Sequence, residues 1–239
     1  MFHKHMNGEI IIIVIAVDDL TLTSSCGCLL DTCKDESWSE FDITKLGPMH
    51  WLLGIEVKRD HIVQTISLSQ KAYINSIIAC FCLKDTPPVS TPMEVGVQLV
   101  QAKNDMSTSP HVPYKKIIRS LMYMATATQP DIMFTFSVLA QFMQDPARPH
   151  WEAAKHVIRY LKGMRDLELT YGATNTGITG YTDTNHASQY HQHSILGHTF
   201  LINRGMVSWS SKKQPVITLS MTEAEYVAAA HAMKESLWL

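Results

Sequence analysis

The sequence predicts an α+β chain, in which strands and helices come in runs rather than in strict alternation. Three observations predict it. β-Branched residues dominate "IIIIVIAVDDLTLT", Ile10 to Thr23. Three amphipathic stretches, broken by prolines, lie between Tyr114 and Gly163. Short strand-like segments then return from Leu167 to Lys213, ahead of a last helical segment.

Taken in order, Ile10 to Thr23 reads as two strands around a tight turn at Asp18-Asp19. Trp51 to Val57 and Ile62 to Leu68 read as a second strand pair with a polar turn between them. Tyr73, Ile74, Ile77, Ile78 and Phe81 recur at helical spacing, which predicts a helix over Gln70 to Leu83. The prolines of "DTPPVSTP" forbid its continuation. Residues 86–112 hold prolines, polar residues and few large apolar ones, the composition of a linker or long surface connection.

"YKKIIRSLMYMATAT" stops before Pro130, and "PDIMFTFSVLAQFMQ" starts with proline in its first turn, where the missing N–H costs nothing. "PHWEAAKHVIRYLKG" starts the same way and ends at Gly163, a helix-stop residue. Short breaks between such helices predict a small bundle. "LELTY", "GITGYTD", "LGHTFLINR" and "MVSWSSKK" read as strands, with a hairpin turn at Asn203-Arg204-Gly205. "SMTEAEYVAAAHAMKESLWL" reads as a helix capped by Ser220 or Thr222.

The chain has 239 residues, is 46% hydrophobic and 18% charged, and carries a formal charge of −2. That is globular material without a global basic signature, so contact with nucleic acid has to come from local patches. The longest apolar run, Ile10 to Val17, is too short to span a bilayer. The N-terminus lacks the apolar core of a signal peptide, which predicts an intracellular, cytoplasmic or nuclear protein rather than a secreted one. Five cysteines, an odd number, fit reduced thiols. Cys26, Cys28 and Cys33 are not spaced as the usual Cys-x-x-Cys zinc pair, and small half-buried side chains are the plainer reading.

The chemistry centres on Asp18 and Asp19. Adjacent carboxylates at the mouth of an apolar hairpin are costly unless something neutralises them, and a hard divalent cation does so. The plain alternative is a solvated turn, because aspartate is a common turn residue.

"IAVDDLTLTS" resembles the Tyr-Val-Asp-Asp motif of reverse transcriptases in its copia-type retrotransposon form. "LGPMHWLLGIEV", "ISLSQKAYI", "VSTPME", "RSLMYMATATQPDI", "HWEAAKHVIRYLKG", "GYTDTNHAS", "VSWSSKKQPVITLSMTEAEYVA" and "KESLWL" follow in family order and spacing, so the resemblance covers nearly the whole chain. It implies a palm and thumb remnant over residues 1–85, a linker over 86–112, a helical connection over 113–166 and the first part of a ribonuclease H-like domain over 176–239. Asp18 and Asp19 then look like the metal-binding pair of the palm. Asp183 matches the first ribonuclease H aspartate and Glu225 its glutamate, with Glu223 the close rival. Residues two apart on a helix face different directions, and Glu223 has a plain role in complementing the helix dipole. The implied cofactor is Mg²⁺ at Asp18, Asp19, Asp183 and Glu225, and the implied partner is an RNA–DNA hybrid or primed RNA template.

The chain also departs from the family pattern. Ala16 stands where the family has tyrosine. Gln129 replaces the arginine before Pro-Asp-Ile, Arg119 stands where glycine is usual, and Asn185-His186 replaces Asp-Trp. The upstream palm aspartate, the fingers and the later ribonuclease H carboxylates are not among these residues. The expectation is a catalytically inactive fragment of a retrotransposon polymerase. The rival, from another class, is a non-catalytic nucleic-acid-binding module. Lys155, Arg159 and Lys162, at i, i+4 and i+7, form a basic stripe suited to phosphates or simply to a solvated helix face. Lys212 and Lys213 are similar. His186, His191, His193 and His198 cluster as transition-metal ligands do, although a polar loop explains them as well. Trp51, Trp151 and Trp209 read as packing anchors.

Overall fold

The computed structural model describes residues 1–6, 8–94, 96–97, 99–100, 113–173, 176–185 and 194–239. Its contacts divide the chain into Met1–His50 and Trp51–Leu239, whereas the sequence reading draws its first boundary at residue 85.

In the first unit, β1 (Phe2–Met6), β2 (Glu9–Ala16) and β3 (Asp19–Ser24) form an antiparallel sheet with β2 in the middle. The expected hairpin is present, with Ile11 opposite Ser24 and Ala16 opposite Asp19. Ile11 is the one fully buried apolar residue described in this unit, so its described core is shallow. Helix α1 (Gly27–Glu40) follows. The sequence pattern did not reveal it: Leu29, Leu30 and Trp38 are its only large apolar residues, and it buries none of them. Trp38 fastens the chain after α1. Its indole N–H donates to the Ile43 carbonyl at 2.6 Å, and Lys45 Nζ lies 3.0 Å over its ring.

The second unit begins with β4 (Trp51–Leu52), β5 (Ile55–Asp60) and β6 (Thr65–Ser69). The single strand expected over 51–57 is two, because Leu53 and Gly54 turn the chain at φ 50° and 80°. Ile62 and Val63, expected in a strand, lie in a turn whose N–H groups donate to Asp60 at 2.8 and 3.0 Å.

Helices α2 (Lys71–Cys80), α3 (Tyr114–Ala127), α4 (Met133–Ala140) and α5 (Arg148–Met164) enclose the main core, with a 3-10 turn at Pro130–Ile132 before α4. Ile74, Ile77 and Ile78 of α2 meet Ile117, Ile118 and Leu121 of α3 and Val157, Ile158 and Leu161 of α5 there. Helical periodicity foresaw this, because each buried set repeats at three- and four-residue steps. Asp131 accepts the Tyr160 hydroxyl at 2.6 Å, tying the 3-10 turn to α5. Burial and that carboxylate push the Tyr160 phenol up to about 12. Gly163 lies inside α5 rather than beyond it. A Cβ there would come within 3.3 Å of Pro88, so the glycine admits a close neighbour instead of stopping the helix. The described part of 86–112 is accordingly packed chain: Leu99 is buried in this core and Val89 leans on it.

Strand β7 (Leu169–Tyr171) closes the first sheet in the order β4-β5-β6-β7. Strands β8 (Thr179–Asn185), β9 (Ile195–Ile202) and β10 (Gly205–Lys213) form a second antiparallel sheet with β9 in the middle. The β9–β10 turn is the expected one, with Asn203 and Arg204 at φ 51° and 65°. Helix α6 (Met221–Ser236) packs through Ala224, Ala228 and Ala232. Among the described residues no helix is long and apolar enough to cross a membrane.

Candidate functional site

Asp18 and Asp19 sit at the tip of the β2–β3 hairpin, both exposed. The turn itself is Val17-Asp18, one residue earlier than expected, and Asp19 is already the first residue of β3. Val17 adopts φ 56°. That is the left-handed region, which a β-branched residue rarely enters and which fits the first position of a tight hairpin turn. The hairpin therefore holds its two carboxylates on a strained, closed tip, the kind of outlier that clusters at functional sites. Neither carboxylate has an ion-pair partner among the described residues.

Asp183 lies on β8, opposite Gly197, and is exposed. Strand β8 is one of the two edges of its sheet among the described residues. Thr184, next in line, is buried against α6, where Gln214 Nε2 donates to Thr184 Oγ1 at 3.4 Å and to the Ala224 carbonyl at 3.0 Å. Alternation puts Asp183 on the other face, so any approach to α6 goes round the open edge of β8. Glu225 is half-buried on the flank of α6, beside Ala224. No described contact joins the two.

Glu223 has a different occupation. Its N–H donates to Ser220 Oγ at 3.1 Å, and its carboxylate accepts the Leu219 N–H at 2.8 Å. That is nearly a capping box, and it commits Glu223 to the helix end. No group of three or more histidine, cysteine, aspartate or glutamate side chains that could hold a metal occurs among the described residues, which covers the Cys26, Cys28 and Cys33 set.

The basic stripe on α5 is half-buried, and two of its three cations are engaged by backbone carbonyls. Lys155 pairs with Glu152 at 2.8 Å. Arg159 Nε donates to the Pro87 carbonyl at 2.9 Å. Lys162 Nζ donates to the carbonyls of Lys84 and Thr86. His156, on the same helix, meets the Thr91 carbonyl at 2.9 Å. Helical spacing locates such a stripe but cannot say whether a neighbouring segment covers it.

Sequence reading missed a more open group of cations. Lys115, Lys116 and Arg119, on the first turns of α3, line a cleft of about 630 Å³ with Tyr73, Met143 and Gln144. All three are exposed and have no ion-pair partner among the described residues. The first turn of α3 carries no acid and no capping side chain. Cations crowded at the positive end of a helix oppose both the dipole and one another. The "YKKIIR" spacing was the available signal.

Of the histidine cluster, His186, His191 and His193 lie outside the described residues, while His198 is buried under α6. Trp209 is an anchor, its indole N–H donating to the Ala125 carbonyl at 2.7 Å. Trp151 packs on Phe81. Trp51 is not an anchor, being 55% exposed on a two-residue strand.

A family profile described as reverse transcriptase (RNA-dependent DNA polymerase) matches residues 1–95. Over its whole length the chain is 34% identical to the retrovirus-related Pol polyprotein from transposon TNT 1-94 of Nicotiana tabacum, spanning 18% of that protein. It is 33% identical to the corresponding polyprotein from transposon RE2 of Arabidopsis thaliana, spanning 16% of it. A putative transposon Ty5-1 protein of Saccharomyces cerevisiae is 30% identical over 98% of this chain and 77% of its own length. The chain thus spans less than a fifth of the plant polyproteins. No solved structure matches it.

Proposed function

Because the chain belongs to the Pol polyprotein family of copia-type retrotransposons, with reverse transcriptase at residues 1–95, we propose that the Val17-Asp18-Asp19 tip is the carboxylate pair of a polymerase palm. The observation that carries this reading is the strained hairpin, with two adjacent, exposed carboxylates that have no ion-pair partner among the described residues. Mg²⁺ fits such a pair, since it takes one or two carboxylates and keeps the rest of its water. When bound, it would supply charge stabilisation for phosphoryl transfer. The chain's own contribution is to hold Asp18 and Asp19 together on a closed turn.

The remaining assignments follow the same reading. Residues 1–85 are a palm and thumb remnant, 113–166 a connection, and 176–239 the first part of a ribonuclease H-like fold that carries Asp183 and Glu225. The commitment of Glu223 to capping supports Glu225 as the glutamate. We read these 239 residues, acting alone, as catalytically silent. Two carboxylates at each place are fewer than a two-metal site needs, and Ala16 stands in place of the tyrosine beside the primer end.

The second reading, a non-catalytic nucleic-acid-binding module, is favoured by the cleft of Lys115, Lys116 and Arg119, whose cations no acid neutralises among the described residues. The two readings are compatible, since a silent polymerase fragment can still grip a phosphate backbone.

Mn²⁺ titration followed by electron paramagnetic resonance tests the site assignment. Weak binding at two places, one lost in Asp18→Asn and the other in Asp183→Asn, supports it. Binding unaffected by both substitutions overturns it.

A further inference from the structure

The side of the β8–β10 sheet that faces α6 holds two histidines with no part in the chemistry proposed above. His198 on β9 is 7% exposed. Its ring stacks on His231 of α6, with centroids 5.5 Å apart and planes 29° apart. The Nδ1 atoms of both rings are buried without a hydrogen-bond partner among the described residues. Phe200, two residues along β9, leans on His198 with ring centroids 5.6 Å apart.

The charged surroundings are few. Lys212 on β10 faces His198, and Glu235, one helical turn beyond His231, faces it from α6. Glu235 is held in place by the Ser208 hydroxyl, which donates to it at 2.7 Å. Strand β8 contributes Thr182, the residue opposite His198, and no charge. The interface therefore tolerates two neutral rings and offers one carboxylate to a first proton. A second proton would set two imidazolium rings face to face, with Lys212 adding a third positive charge.

We infer that the His198–His231 pair is a proton-sensitive latch, holding α6 on the sheet when both rings are neutral and releasing it as the pair becomes doubly protonated. The sign follows from burial, which is the largest influence lowering the His198 pKa, with the His231 ring acting in the same direction. A histidine held below its ordinary value binds fewer protons folded than unfolded. Its contribution is then present at neutral pH and fades as the pH falls through the ordinary histidine value of about 6.5. The latch concerns the helix that carries Glu225, so acid would separate that carboxylate from the strand bearing Asp183.

Amide hydrogen exchange of the full chain at pH 7.5, 6.0 and 5.0, expressed as protection factors, tests this. Protection over 221–236 is expected to fall about tenfold or more between the extremes, the scale of one pKa unit. His198→Phe keeps a ring in the stack but takes no proton, and together with His231→Phe it is expected to abolish the step. An equal step in that double variant overturns the latch, as does constant protection in the native chain. Should the double variant not fold, titration of the ring protons in the native chain decides the matter. Two separated steps, with loss of α6 protection on the second, support the latch, and one step at the ordinary histidine value refutes it. Zn²⁺ at pH 7.5 is a further arm. Metal-dependent slowing of exchange over α6 would make the pair a metal donor set instead and overturn the proton reading.

Discussion

Lys162 Nζ donates to the Thr86 carbonyl at 2.8 Å, so a side chain of α5 holds the segment that follows α2. Arg159 does the same to Pro87. Removing the charged head and keeping the stem, as in Lys162→Met, is expected to cost about 1 kcal/mol in urea unfolding, the middle of the range for an ordinary hydrogen bond, because solvent reaches this one. Its effect on affinity for an RNA–DNA hybrid is expected to be within twofold, because the side chain is already occupied.

The cleft on α3 behaves differently. Lys115, Lys116 and Arg119 have no acid partner among the described residues and oppose the helix dipole, so replacing all three with glutamine is expected to leave the urea midpoint unchanged or slightly raised. Each phosphate contact contributes about 0.9 to the slope of log affinity against log salt, so losing all three contacts lowers that slope by about 2.7 in a gel-shift series. An unchanged slope would remove the cleft from the binding reading.

Val17 at φ 56° gives a third expectation. A non-glycine residue in this region costs about 1–3 kcal/mol, while glycine's extra freedom in the unfolded chain costs about 0.5–1 kcal/mol. Val17→Gly is therefore expected to stabilise the hairpin by about 1 kcal/mol, read as slower amide exchange along β2 and β3. Faster exchange would show that the turn is not strained.

His150 is 1% exposed, stacks on Phe142 and accepts the Ala147 N–H through Nδ1 at 2.7 Å. Burial, the main cause, holds its pKa below the ordinary value. The unfolded chain takes up the proton near pH 6.5, so the stability owed to this site is intact above that pH and lost as the pH falls below it. Thermal midpoints measured at pH 7.5 and 5.0 are expected to fall more for the native chain than for His150→Gln.

What the sequence disclosed follows from what its patterns encode. Alternating and helical apolar spacing report burial, so β2, β3, α2, α3 and α5 were legible to within a few residues. Helix α1 was not, because it buries nothing and leaves no periodic trace. The turn at Val17-Asp18 was placed one residue late, since the two aspartates look like turn residues while the pairing of Ala16 with Asp19 closes the loop earlier. The engagement of Arg159 and Lys162 on α5 was not legible, because the segment after α2 meets them with backbone carbonyls rather than with a matching charge run. Asp18, Asp19, Asp183 and Glu225 came from motif resemblance. The sequence alone does not say how near a strand and a helix bring two side chains.

We propose that Asp18 and Asp19 form a palm-like carboxylate hairpin and that these residues, acting alone, do not polymerise. Extension of a labelled primer on an RNA template, with Mg²⁺ and all four deoxynucleotides, tests it most directly. The account predicts no extension above a protein-free control. Template-directed extension by the purified chain, abolished in Asp18→Ala, would contradict it.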